Sequence, residues 1–96
     1  MQAADQIILK LKNAKTSLKR RYGVTDIALF GAFSKGEEQH DSDVDLLITL
    51  DKAPNIGFTD LEDELAQLLN MRVDVTLRKD LETQYYKSIR KELIYV

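Results

Sequence analysis

Residues 30–45 read Phe30-Gly31-Ala32-Phe33-Ser34-Lys35-Gly36-Glu37-Glu38-Gln39-His40-Asp41-Ser42-Asp43-Val44-Asp45. A glycine-bounded turn comes first, and two aspartates one residue apart follow at the head of an apolar run. Successive side chains of a strand point to opposite faces. Asp43 and Asp45 therefore share a face, their Cα atoms roughly 6.6 Å apart at the usual rise per residue. Val44, Leu46, Ile48 and Leu50 take the other face. This pattern predicts a strand over 43–50 with its back in a core and two carboxylates in front.

Two carboxylates that close repel, which raises the pKa of one of them. A divalent cation between them removes the conflict. Oxygen ligands suit a hard ion such as Mg²⁺, which takes one or two carboxylates together with substrate phosphates. Backbone N–H groups of a turn entering a helix are aimed at phosphate. A phosphate cradle beside metal-binding carboxylates is the equipment of phosphoryl or nucleotidyl transfer.

Gly31-Ala32, ten residues, then Asp43-Val44-Asp45 resembles the Gly-Ser-X10-Asp-X-Asp signature of the DNA-polymerase-β-like nucleotidyltransferase superfamily. The flanking Leu-Phe-Gly-Ala-Phe-Ser-Lys-Gly-Glu and Asp-Ser-Asp-Val-Asp-Leu-Leu-Ile are similar to its smallest branch, the minimal nucleotidyltransferases (MNT domains), often paired with HEPN-domain toxins. The likeness covers nearly the whole chain. The family serine is Ala32 here.

The remaining sequence fits one small domain over 1–96. Apolar residues make up 44% and charged residues 31%, as in a soluble globular protein. Cysteine is absent, which excludes disulfides and thiolate metal sites and fits a cytoplasmic location. No apolar run follows Met-Gln-Ala-Ala-Asp, so no signal peptide is expected. Nothing approaches the roughly 18 apolar residues of a membrane span. The net charge of −2 gives no nucleic-acid signal, and basic residues in the first helix and last segment read as solvated faces.

Residues 3–22 have apolar positions at helical spacing, and Gly23 is the expected stop. Val24 to Phe30 reads as a first strand. Gly31 permits an unusual backbone angle and a close approach; a short helix over Ala32 to Lys35 is closed by Gly36. His40, in a polar connection, has no catalytic role. Asp41-x-Asp43-x-Asp45 also fits the start of a calcium loop, but that loop needs Gly and Glu where this chain has Leu46 and Lys52.

Asp51 to Gly57, with Pro54, is a surface connection. Thr59-Asp60-Leu61-Glu62 fits a capping box for a helix with Phe58, Leu61, Leu65, Leu68 and Leu69 on one stripe, ended at Asn70. Met71 to Leu77 is a third strand, with Val73, Val75 and Leu77 on one face and Arg72, Asp74 and Thr76 on the other. An aspartate between valines is a poor strand residue unless it faces water or a ligand. Asp80 caps a final helix carrying Leu81, Tyr85, Ile89 and Leu93 on one face. Tyr85, Tyr86 and Tyr95 read as packing residues.

These elements give an α/β (α+β) fold, a small mixed sheet backed by helices. The resemblance implies the palm-like core of the polymerase-β superfamily and nucleotidyl transfer from ATP or another nucleoside triphosphate to a hydroxyl. It implies two Mg²⁺ ions, or Mn²⁺, held by Asp43, Asp45 and Asp74, whose position in Val-Asp-Val matches the family's third carboxylate. Gly31, Ala32, Ser34 and Lys35 would line the triphosphate. It further implies an antitoxin that adenylylates a tyrosine of a helical HEPN-type toxin. The alternative is a catalytically weak or inactive nucleotide-binding antitoxin that acts by binding its partner, a reading that Ala32 favours. The sequence leaves self-association open.

Overall fold

The structure, a computed structural model, describes residues 4–39, 41–51 and 58–96. His40 and most of the connection around Pro54 lie outside them. The elements in chain order are α1 (Ala4–Tyr22), β1 (Val24–Phe30), α2 (Ala32–Lys35), β2 (Val44–Leu50), α3 (Phe58–Leu69), β3 (Val73–Leu77), a 3-10 turn (Arg78–Asp80), α4 (Thr83–Ile89) and β4 (Ile94–Tyr95).

The strands form one sheet in the order β3-β2-β1-β4. β1 is antiparallel to both neighbours, β2 and β4. β2 and β3 are parallel, as the α3 crossover between them requires, since two parallel strands cannot be joined by a tight turn. The end of β1 and the starts of β2 and β3 therefore lie at one end of the sheet.

Alternation sorts each strand between two layers. Ile27, Leu29, Val44, Leu46, Ile48 and Val75 point into the larger core, against Ile7, Leu11 and Leu18 of α1 and Leu61, Leu65 and Leu69 of α3. Every fourth residue of α3 from Leu61 to Leu69 is buried, because one helical face meets the sheet. Asp5 in the first turn of α1 and Lys19, Arg20 and Arg21 in its last complement the helix dipole. On the other face, Ala28, Phe30 and Leu47 pack with Ile89 of α4 in a smaller cluster.

Several boundaries differ from the sequence reading. Asp43 precedes β2 rather than opening it, and β3 begins at Val73, not Met71. Thr59 is the second residue of α3 rather than its cap, because the helix already runs from Phe58. Glu62, assigned to the capping box, instead accepts the Val75 N–H at 3.4 Å. Asp80 closes the 3-10 turn, and Glu82 holds the N-cap position of α4 without a side-chain hydrogen bond to the helix. Leu93 follows α4 rather than belonging to it, and β4 was not anticipated. Tyr85 and Tyr95 are exposed, while Tyr86 packs against the smaller cluster. Asn70 does end α3 in the left-handed conformation, with φ 54°, and the Met71 N–H reaches back to the Ala66 carbonyl at 3.2 Å.

Candidate active site

The site is built by strand register. Phe30 stands opposite Asp45, and Asp45 stands opposite Asp74. Adjacent strands are about 4.8 Å apart, so the end of β1 and two carboxylates lie level across three strands. Asp45 and Asp74 point away from the main core, on the face that carries Leu47 and Thr76, because their neighbours Val44, Leu46 and Val75 are turned inward.

Gly31 makes the close packing feasible. Its φ of 78° and ψ of −152° lie where side chains are rarely accommodated. A Cβ there would stand 2.2 Å from Oδ2 of Asp45. The turn therefore rests on the carboxylate, and glycine is required by both backbone angle and space. Ala32, Phe33 and Ser34 open α2, so their N–H groups have no intrahelical acceptor. Gly36, at φ 71°, ends the helix.

The predicted residues fall into three groups. Asp45 is half-buried between Gly31 and Asp74. Desolvation, reinforced by Asp74, Asp43 and Glu92, raises its pKa above the usual carboxylate range. Asp43 stands just ahead of β2, its side chain 48% exposed, with Oδ1 3.0 Å from Nε of Arg72. Asp74 is exposed on β3. In the turn, Ser34 Oγ donates to the Gly31 carbonyl at 3.1 Å, which commits its proton to the turn itself. Lys35 is at the surface, with Nζ 3.6 Å from Glu37 and 4.0 Å from Glu92.

Two neighbours escaped sequence reasoning. Arg72 pairs with Asp43, and its Nη2 donates to the Asp41 carbonyl at 2.6 Å, fastening the connection that leads into β2. Glu92 accepts the Gly31 N–H at 2.8 Å. Arg72 had a signal, since it alternates with Asp74 on one strand face. Glu92 had none without β4.

The donor set fits a hard divalent cation. It is all oxygen, and it holds a desolvated carboxylate beside like charges that a cation would offset. Among the described residues no three acidic or histidine side chains converge into a ready-made cage. A cavity of about 270 Å³ lies at the far end of β2 and β3, lined by Ile48, Leu50, Leu77 and Leu81, away from the carboxylates.

A family model matches most of the chain. Residues 11–96 match the model described as a nucleotidyltransferase domain. The chain belongs to the nucleotidyltransferase domain family. This nucleotidyltransferase is 35% identical to the protein adenylyltransferase MntA of Thermococcus cleftensis, over all of this chain and 98% of that protein. In fold it is similar to a solved structure described as a minimal nucleotidyltransferase, with TM-score 0.81, 23% identity and coverage of 97% and 95% of the two chains. It is also similar to a chain from the tri-AMPylated Shewanella oneidensis HEPN toxin in complex with MNT antitoxin, with TM-score 0.66, 20% identity and coverage of 93% of this chain and 70% of that one. The mixed sheet flanked by helices is the fold of these neighbours. No helix among the described residues is long and apolar enough to cross a membrane.

Proposed function

We propose that this nucleotidyltransferase moves AMP from ATP onto a tyrosine hydroxyl of a HEPN-type helical partner, and so acts as the antitoxin of a toxin–antitoxin pair. The observation that carries the chemistry is the register that sets the end of β1, Asp45 and Asp74 level across three strands, with Gly31 packed against the Asp45 carboxylate. The adenylyltransferase name of the Thermococcus relative supports AMP as the transferred group, and the AMPylated HEPN toxin beside an MNT antitoxin supports the partner class.

In this reading the turn at Gly31–Lys35 binds the triphosphate through backbone N–H groups, with Lys35 adding positive charge. Asp43, Asp45 and Asp74 would hold one or two Mg²⁺ ions, which supply charge neutralisation at the phosphates and polarise the attacking oxygen. The acceptor oxygen forms a bond to the α-phosphorus as the bond to the bridging oxygen breaks, and pyrophosphate leaves with that electron pair. Asp74, exposed on its strand, takes the hydroxyl proton. Asp43 and Asp74 are exposed, and in this reading a partner surface brings the acceptor and excludes water.

The test is incubation of the protein with Mg·ATP and its co-encoded helical partner, read by intact mass. The expected result is addition of AMP units to the partner, abolished by Asp45→Asn. An unmodified partner would refute the transfer. Ala32 favours a second reading, since it has no hydroxyl and Ser34 is engaged within the turn. If the protein only masks its partner, an Asp43→Asn/Asp45→Asn double variant neutralises the toxin as well as wild type does.

A further inference from the structure

Glu92 lies between α4 and β4, far in sequence from the predicted site. β4 pairs Ala28 with Tyr95 and Leu29 with Ile94. Continued two residues, that register sets Glu92 opposite Gly31. There the backbone ladder gives way to a side chain: the Gly31 N–H donates to Glu92 Oε1 at 2.8 Å. The other carboxylate oxygen is 4.0 Å from Lys35 Nζ, and the side chain is only 20% exposed. Its negative charge is one of those that Asp45 meets.

The connection to the chemistry is steric. Gly31 stands against Asp45 so tightly that even a Cβ would meet Oδ2. Whatever fixes the Gly31 peptide fixes the surface on which Asp45 rests. The bond to Glu92 holds the amide at the start of the turn, while Ser34 holds its carbonyl.

We infer that Glu92 is a positioning residue, whose hydrogen bond to the Gly31 N–H ties the C-terminal segment to the turn and sets the orientation of both the turn and the Asp45 carboxylate. The inference rests on the proposed transfer reaction for its functional consequence, but its structural half stands independently. Glutamine keeps an acceptor oxygen at the same reach, whereas alanine leaves none. Glu92→Ala and Glu92→Gln therefore separate the hydrogen bond from the charge.

Two measurements test it. In the protein without nucleotide, amide exchange by NMR should show Gly31 exchanging about tenfold faster in Glu92→Ala and near the wild-type rate in Glu92→Gln, a loss at the low end for a hydrogen bond with a charged partner. The Asp45 carboxyl carbon shift should move in the alanine variant and return in the glutamine variant, while Leu29 and Ile48 amides stay protected in both. At saturating Mg·ATP, kcat for partner modification should fall about tenfold in Glu92→Ala and recover to within about threefold in Glu92→Gln, with KM changed less than kcat. Unchanged Gly31 exchange in Glu92→Ala would overturn the inference, and so would equal damage in the two variants. If wild type modifies no partner, the transfer reading fails, and the Gly31 and Asp45 signals still decide the role of Glu92.

Discussion

Asp45 concentrates the conflict between folding and chemistry. Its raised pKa arises first from desolvation and then from Asp74, Asp43 and Glu92. A carboxyl that binds its proton more tightly when folded contributes stability below its unfolded pKa, and that contribution is lost as pH rises through the folded value. Once ionised, Asp45 therefore works against the fold. Asp45→Asn is expected to raise the urea midpoint near neutral pH, with the gain shrinking as pH falls through the carboxylate range. Parallel denaturation curves near neutral pH and within the carboxylate range check the sign. Ala32 is the other informative residue. A serine there would add a donor to a phosphate oxygen, and a hydrogen bond to a charged group contributes about 1.5–3 kcal/mol, or roughly ten- to hundredfold in binding or rate. Ser34 already donates within the turn, so Ala32→Ser should tighten Mg·ATP binding at constant stability, measured by calorimetry. No change would place the triphosphate elsewhere.

Among the elements, α1 and α3 are joined at the edge of the core by a polar contact. Glu64 accepts a bidentate pair from Arg21 and the Tyr22 hydroxyl at 2.9 Å. The bond to Arg21 is the main reason that the Glu64 pKa is lowered. Tyr22 is buried, so its hydroxyl needs a partner. Tyr22→Phe should cost about 1 kcal/mol, or roughly 4–8 °C in Tm for a domain of this size, read by thermal melting. Element bounds were legible where pattern and punctuation agreed: β1 and α2 run as the sequence reading had them, bracketed by Gly23, Gly31 and Gly36. They were misread where one signal has two meanings. Thr59-x-x-Glu62 fits a cap, yet the helix starts earlier and Glu62 turns to β3. Asp80 suits a 3-10 turn as well as a helix start. Two residues of strand, Ile94 and Tyr95, carry no periodicity at all. Without β4 there is no register to bring Glu92 to Gly31, and that pairing stayed hidden.

At the scale of the molecule, Asp43 and Asp74 are exposed, and an apolar cavity lies at the opposite end of β2 and β3. The Val-Asp-Val pattern and the family likeness singled out Asp74, but its parallel register opposite Asp45 follows from the strand order, which periodicity alone does not give. With Asp43 and Asp74 exposed to solvent, the isolated protein should turn over little ATP in the presence of small hydroxyl compounds, and the cognate helical partner should accelerate pyrophosphate release at least tenfold. Equal release with and without that partner would contradict this.

The place of β4 in the sheet bears on synthesis. β4 covers the outer edge of β1, and its two residues emerge from the ribosome long after that strand. Until they arrive, Ala28 and Leu29 border an open ladder, the kind of edge that recruits foreign strands. A nascent chain arrested before Ile94 should therefore sediment with aggregates, while exposure of Ile94 and Tyr95 restores solubility. Ribosome-arrested chains of graded length, separated by centrifugation, would show where along the chain that protection begins.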